Sequence, residues 1–293
     1  MPDRRLPLLA IAVTLVLWAS AFVAIRHLGD TFSPGALSLG RLVVGSLALG
    51  VLVLRQGWVA VDRGQGLRLV AIGLLWFAFY NVSLNAGERR VDAGTAALLI
   101  QVSPILVALL AAAFLGERAT RWLWIGSVVS FAGVALIATG AQGAAHRDPT
   151  GVLLCVLAAA AYAVSLVLQK PLMARLSAVQ VTWAACTVGA LVCLPFAGTL
   201  YDEWQAASGA DRGYLIYLGL FPTAIAFTTY AYALRHMATA RLSVTTYLVP
   251  PLTVLLSATL LSETPPAIAY AGGALALLGV SVTRRTTAVT LKR

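Results

Sequence analysis

Residues 101–117, QVSPILVALLAAAFLGE, return in outline at 247–263 as YLVPPLTVLLSATLLSE. Pro104 falls on Pro250, Leu109-Leu110 on Leu255-Leu256 and Glu117 on Glu263, at one offset of 146 in a chain of 293 residues. Working outward, the same offset sets Gly126 on Gly272 and Gly133-Val134 on Gly279-Val280. Residues 91–137 and 237–283 thereby share ten identities without a gap. Apolar segments match at Leu and Ala by chance, so the Pro, Glu and Gly matches carry the weight. Upstream, after a two-residue slip, Trp18 to Arg26 lies over Tyr162 to Lys170. The chain therefore divides into 1–145 and 146–293, and a duplicated apolar chain points to a carrier built from two halves around a central site.

The chain is 60% hydrophobic and 11% charged, with mean hydropathy +0.87. Apolar runs of about 18 residues or more are long enough to cross a bilayer as helices. Ten stand at 8–27, 34–54, 67–87, 93–115, 121–140, 150–169, 178–197, 213–234, 240–261 and 267–284. Run length and the lack of alternating polarity give an all-α membrane protein rather than a barrel. The start, MPDRRLPLLAIAVTLVLWASA, has the layout of a signal peptide, but its apolar run exceeds an h-region and has a partner at 150–169. It reads as the first helix.

The net charge of +10 is explained by placement. With the N-terminus in the cytoplasm, fifteen basic residues fall on the inner side. Five (Arg26, Arg89, Arg90, Arg147 and Arg212) fall on the outer side, the positive-inside pattern. Both termini are expected inside, and no basic stripe is left for nucleic acid. Five helices per half is odd, so the second half enters from the opposite side: an inverted-topology repeat.

Cys155, Cys186 and Cys193 fall within spans, and His27, His146 and His236 are scattered, which gives no disulfide framework, metal or cofactor. There is no phosphate-binding loop, nucleophile elbow or intramembrane carboxylate pair, so catalysis is not expected. The expected partners are a small-molecule solute and the lipid bilayer; oligomeric state is not legible, and a monomer is compatible with everything above.

Ten helices, the 5+5 duplication and the endings Leu115-Gly116-Glu117 and Leu261-Ser262-Glu263 resemble the drug/metabolite transporter superfamily. Trp18-Ala-Ser-Ala-Phe22 followed by Val-Ala-Ile-Arg26 resembles the first-helix signature of its EamA-type members. Within that group the chain is similar to the YddG-like exporters of aromatic amino acids. The resemblance implies a bacterial inner-membrane protein in which helices one to four and six to nine surround a cavity, with five and ten peripheral. The second copy departs from the Gly-Glu ending at Ser262.

Candidate solute-binding residues follow from polarity inside the spans. Pro104 frees the carbonyl of Ile100, and Pro250 and Pro251 free those of Thr246 and Tyr247, because proline has no N–H to bond four residues back. Gln101 and Tyr247 stand three residues before the matched prolines. They lie on the small-and-polar stripes Gly94, Ala97, Gln101, Ala108 and Ala240, Ser243, Tyr247, Val254. Such stripes read either as close packing at a kink or as a cavity wall.

Helix three carries Trp76, Phe79, Tyr80, Asn81, Ser83 and Asn85, with Asn81, Asn85 and Glu88 on one helical face and Trp76, Tyr80 and Ser83 on the next. Amides there either glue helices or meet solute. Trp18 and its mate Tyr162, with Trp183 and Tyr230, supply further rings. Arg41 is the one basic residue well inside a span; it reads equally as a functional charge and as a side chain snorkelling outward, with Glu88 near the outer end of helix three as its candidate partner. Glu117 and Glu263 read as helix-end anchors. An exporter of amino acids or similar metabolites is the leading expectation. A drug or toxicant exporter of the same fold, and a non-transporting membrane protein, are the alternatives.

Overall fold

A computed structural model of the chain describes residues 5–90, 99–140, 148–260 and 267–283. Gly94, Ala97, His146, Arg147, Ser262 and Glu263 lie outside the described residues. The chain runs as α1 (Arg5–Leu28), α2 (Pro34–Gln56), α3 (Arg63–Glu88), α4 (Ser103–Leu115), α5 (Arg121–Gly140) and α6 (Pro149–Leu172). It continues with α7 (Ala178–Val192), α8 (Ala197–Ala206), α9 (Gly209–His236), α10 and α11 (Ala267–Thr283). α10 comprises Thr239–Ser243, a 3₁₀ segment Val244–Leu248, and Val249–Leu260. Among the described residues there is no strand.

Five helices, α1, α2, α3, α6 and α9, are long and apolar enough alone to cross a membrane, and α7 with α8 adds a sixth if that bent pair is one span. The 54° bend falls at Leu194–Phe196, where Pro195 cannot continue the α-helix. α4, α5 and α11 are shorter apolar helices.

Helix starts are set by local chemistry. Asp62 accepts from the Gln65 amide while Gln65 accepts from that of Asp62; Ser208 and Asp211 form the same reciprocal box. Asp148 and Ser177 cap α6 and α7, accepting from the Thr150 and Gln180 amides.

α3 and α9 are each interrupted by a π-helical segment, Gly73–Phe79 and Gly219–Ile225, and the two stand at the duplication offset of 146. The local chemistry differs. In α9, Pro222 has no N–H for the carbonyl of Leu218, and the Thr223 hydroxyl donates to it instead at 2.8 Å. In α3, the Asn81 amide donates to the carbonyls of Trp76 (3.1 Å) and Phe77 (2.8 Å). Wide turns of this kind concentrate at functional sites.

Contacts between the halves are reciprocal. A Cβ on Gly73 would lie 2.5 Å from Val188 Cβ and 2.7 Å from the Ala185 carbonyl oxygen; one on Gly219 would lie 2.5 Å from Val44 Cβ and 2.9 Å from that of Arg41. Val44 and Val188, like Arg41 and Ala185, are mates at an offset of 144. α3 packs on α6 and α9 on α1; α2 packs on α7 and α5 on α11.

In the last pair a Cβ on Gly126 would sit 2.5 Å from the Gly279 carbonyl oxygen, and one on Gly272 2.5 Å from that of Gly133. Between them Ser130 donates to the carbonyl of Ala276 at 3.1 Å, its own mate 146 residues on. Likewise Cys186 donates to the Leu42 carbonyl at 3.3 Å, 144 residues away. A residue touching its own copy is the mark of an isologous interface.

Candidate solute cavity

A cleft that opens to solvent, with about 690 Å³ of non-atom space counting its open mouth, lies among α1, α2, α3, α4, α6, α9 and α10. α1 contributes Trp18, Ala21, Phe22 and Ile25, the i, i+3, i+4, i+7 face of one helix. α2 contributes Arg41, and α3 Trp76, Tyr80, Asn81 and Leu84. Ile100, Gln101 and Ser103 come from the entry into α4; Tyr162, Phe227, Thr246 and Val249 come from α6, α9 and α10. These positions lie late in α1, early in α2 and late in α3, so the cavity occupies the half of the bundle toward the α1–α2 connection.

Its wall and floor are aromatic. The Trp76 ring meets Tyr162 at 4.9 Å, Phe227 at 5.0 Å and Trp18 at 6.4 Å between centroids. Phe77 closes on Phe227 at 4.7 Å and Trp18 on Tyr230 at 4.9 Å. The hydroxyls of Tyr162 and Tyr230 share a 2.6 Å hydrogen bond across α6 and α9. Edge-to-face and tilted pairs at such spacings add about 0.5–1.5 kcal/mol each beyond their buried area.

Toward the other end of the bundle the helices are tied directly. Thr14 of α1 meets the Thr229 hydroxyl at 2.8 Å and donates to the Ala226 carbonyl. Lys170 Nζ donates to the carbonyls of Leu234, at 2.6 Å, and Met237, where α9 ends. The Glu117 carboxylate accepts from the Thr239 (2.8 Å) and Ala240 (3.1 Å) amides at the start of α10, a charge matched to a helix N-terminus. The helix-end anchor thus acts across the halves, on the helix equivalent to its own.

Three polar side chains in the wall are partly committed. Both hydrogens of the Asn81 amide go to its own helix, so that residue presents only its carbonyl oxygen to a solute. Gln101 donates to the carbonyl of Thr246 at 3.0 Å, a group that Pro250 cannot reach and that also accepts from the Val249 amide. Arg41 is 5% exposed, and its Nε donates to the Thr223 hydroxyl at 3.0 Å. Its guanidinium is held in the protein, not drawn out to the bilayer surface.

Of the sequence-derived candidates, the structure brings Trp18, Trp76, Tyr80, Asn81, Gln101 and Tyr162 together around this space. Four others sit elsewhere. Tyr230 lies beneath the floor, bonded to Tyr162. Asn85 reaches the Ser38 hydroxyl at 3.1 Å and holds the end of α3 to the start of α2. Trp183 meets Trp58 edge-to-face at 5.5 Å near the opposite end of the bundle. Tyr247 is fully buried among Ala108, Val134 and Val280, facing α4, α5 and α11.

The 3₁₀ segment accounts for Tyr247: it turns about 120° per residue instead of 100°, so the cavity receives Thr246. Phe22, Phe227 and Thr246 were not singled out by residue type. Phe22 was accessible as the i+4 neighbour of Trp18, and Phe227 as the offset mate of Asn81.

Comparison with known proteins places this architecture. The model of the EamA-like transporter family matches residues 5–139 and again 149–285. A "Probable terminal-alkyne amino-acid exporter" of Streptantibioticus cattleyicolor is 39% identical over 279 residues, 95% of this chain and 93% of the relative. The "Uncharacterized transporter YdfC" of Bacillus subtilis is 32% identical, covering 91% and 87%. A transporter of Archaeoglobus fulgidus is 27% identical over 282 residues, covering 94% and 98%. One crystal structure superposes with a TM-score of 0.81 at 21% identity, over 96% of this chain and 97% of that one, which shows the fold.

Proposed function

The chain belongs to the EamA-like transporter family, and on that premise we propose that it exports amino acids, or closely related small metabolites, by alternating access. The observation that carries this reading is the cavity itself: an aromatic wall of Trp18, Phe22, Trp76, Tyr80 and Tyr162, one cation at Arg41, and no carboxylate among the described lining residues. Apolar walls with a few directing polar groups suit a small organic solute. A wall bearing Arg41 and no carboxylate is a poor host for a lipophilic cation, which disfavours the drug-efflux alternative. The name of the Streptantibioticus relative supports the amino-acid class.

In this reading the chain crosses a bacterial plasma membrane ten times, with both termini in the cytoplasm and the repeats 1–145 and 146–293 inverted. The reciprocal contacts of α2 with α7 and α5 with α11 support it. Exchange of conformation between the halves then moves the opening from one membrane face to the other. The cavity lies toward the outer end of that topology. Glu88 is not among the described residues of its wall, and in this reading export runs down the solute gradient.

Purified protein in liposomes, given L-phenylalanine, L-tryptophan, L-alanine and L-propargylglycine in turn, tests the proposal. Uptake of at least one amino acid above protein-free liposomes, with no imposed pH gradient, is the expected result. Movement of ethidium with no amino-acid transport would transfer the chain to the drug-efflux class.

A further inference from the structure

We propose that Arg41 is the carboxylate anchor of the cavity, so that the protein recognises its solute by the acid group and tolerates loss of the amine. This rests on the reading of the cavity as a solute site. The argument begins at Pro222. Because Pro222 cannot donate to the Leu218 carbonyl, the Thr223 hydroxyl does so at 2.8 Å, which commits its hydrogen and leaves its oxygen as an acceptor. That oxygen takes Arg41 Nε at 3.0 Å. One edge of the guanidinium is thereby fixed, and its plane is set by two helices, α2 and α9.

A guanidinium carries five N–H donors. The Thr223 bond is the one Arg41 side-chain hydrogen bond among the described residues, and no salt bridge reaches it. The terminal nitrogens are therefore left for a ligand in the cavity that Arg41 lines. A charge 95% removed from solvent is costly unless paired. Its fork matches a carboxylate with two parallel hydrogen bonds, which no neutral group reproduces.

The amine of a zwitterionic solute finds weaker hosts. Asn81 offers a carbonyl oxygen, its hydrogens being spent on Trp76 and Phe77, and the other lining groups, the oxygens of Tyr80, Gln101, Ser103 and Thr246 and the ring faces of Trp18 and Trp76, carry no charge.

The test uses quenching of intrinsic tryptophan fluorescence, since Trp18 and Trp76 line the site, together with transport of labelled L-phenylalanine into proteoliposomes. Four compounds of similar size are compared on the wild-type protein: L-phenylalanine, 3-phenylpropionate, L-phenylalaninamide and phenethylamine. The two acids are expected to bind within about threefold of one another, and the amide and amine at least about tenfold more weakly. Arg41→Gln should remove that preference, and Arg41→Lys should keep part of it.

An amide that binds the wild type as tightly as the amino acid overturns the proposal, whether or not Arg41→Gln folds. So does a folded Arg41→Gln protein that still prefers acids. If phenylalanine is transported with the same KM by Arg41→Gln, the anchor falls and the export reading stands. If no amino acid is transported but 3-phenylpropionate quenches in an Arg41-dependent way, the anchor stands and the export reading falls. Absence of both signals removes both.

Discussion

The first and second halves of this molecule share a backbone and differ in what they show the cavity. Both halves interrupt their third helix with a π segment seven residues long, at positions 146 apart. Each also departs from the α-helix just ahead of its matched proline, by a turn at Gln101 and Val102 and by the 3₁₀ segment Val244–Leu248. Yet the charged and amide groups of the wall, Arg41, Asn81 and Gln101, all come from the first half, where their mates are Ala185, Phe227 and Tyr247. The difference separates two demands. Equivalent backbones let the halves exchange shapes, so mechanics constrains the scaffold symmetrically. Recognition needs one solute held in one orientation, and that breaks the symmetry at the side chains.

The largest effect is expected where the scaffold is symmetric. A Cβ on Gly133 would lie 2.5 Å from the Ala276 amide nitrogen and 2.6 Å from the Gly272 oxygen, and one on Gly279 would collide with the Ser130 amide nitrogen. These neighbours are backbone and do not swing aside. Gly133→Val and Gly279→Val should each destabilise by about 3 kcal/mol, the upper end of overpacking costs, in denaturant unfolding of detergent-purified protein. A cost confined to one of the two would break the equivalence of the halves at this interface.

A smaller and unequal effect is expected at one pair of repeat mates. Gln101→Ala removes one of the two donors to the Thr246 carbonyl and leaves it the Val249 amide, which should cost about 0.5–1.5 kcal/mol and lower solute transport. The mate behaves differently. The Tyr247 hydroxyl is buried without a hydrogen-bond partner among the described residues. Tyr247→Phe should therefore be neutral or slightly stabilising, within about 0.5 kcal/mol, and leave transport intact. Equal loss of transport in both variants would place Tyr247 in the solute path after all.

The smallest effect lies at the junction of the halves. Asp148 caps α6 through the Thr150 amide and pairs with Arg90 at 2.9 Å. The Thr150 hydrogen bond, followed by Arg90, holds its carboxyl below the ordinary aspartate value of 3.8. A depressed pKa contributes stability above that value, lost as pH falls through the folded one. The thermal midpoint of Asp148→Asn should sit slightly below wild type at neutral pH, and the gap should close as the pH is taken below about 4. A gap that persists in acid would show that the carboxylate charge is not its source.

Sequence disclosed the duplication because Pro, Glu and Gly are constrained by backbone geometry, not by apolarity. Trp18, Trp76, Tyr80, Asn81, Gln101 and Tyr162 surround one space, and they stand out in the sequence because large polar-tipped rings and amides are unusual at mid-span. Sequence failed at Tyr247 by assuming 3.6 residues per turn through a 3₁₀ segment. In α3 the expected Asn81–Asn85 face split because Asn81 folds back on the π turn, while Asn85 belongs to the α2 contact. A π turn has no composition of its own; Pro222 hints at it in α9, but Gly73–Phe79 contains no proline. Trp183 was chosen for its ring, and depth along α7 rather than chemistry decides that it meets Trp58.

The Ser130–Ala276 contact shows what joining two copies in one chain permits. When two separate copies of one chain meet, the residue at the crossing point faces itself, and any change there strikes both partners at once. Here the facing residues are no longer identical: Ser130 donates to the Ala276 carbonyl, and the methyl of Ala276 has nothing to return. Within a single chain each side can differ from its mate, and here the donor stands on one side only. The glycines that cradle it keep the two-sided form of the contact, with Gly126 against Gly279 and Gly133 against Gly272.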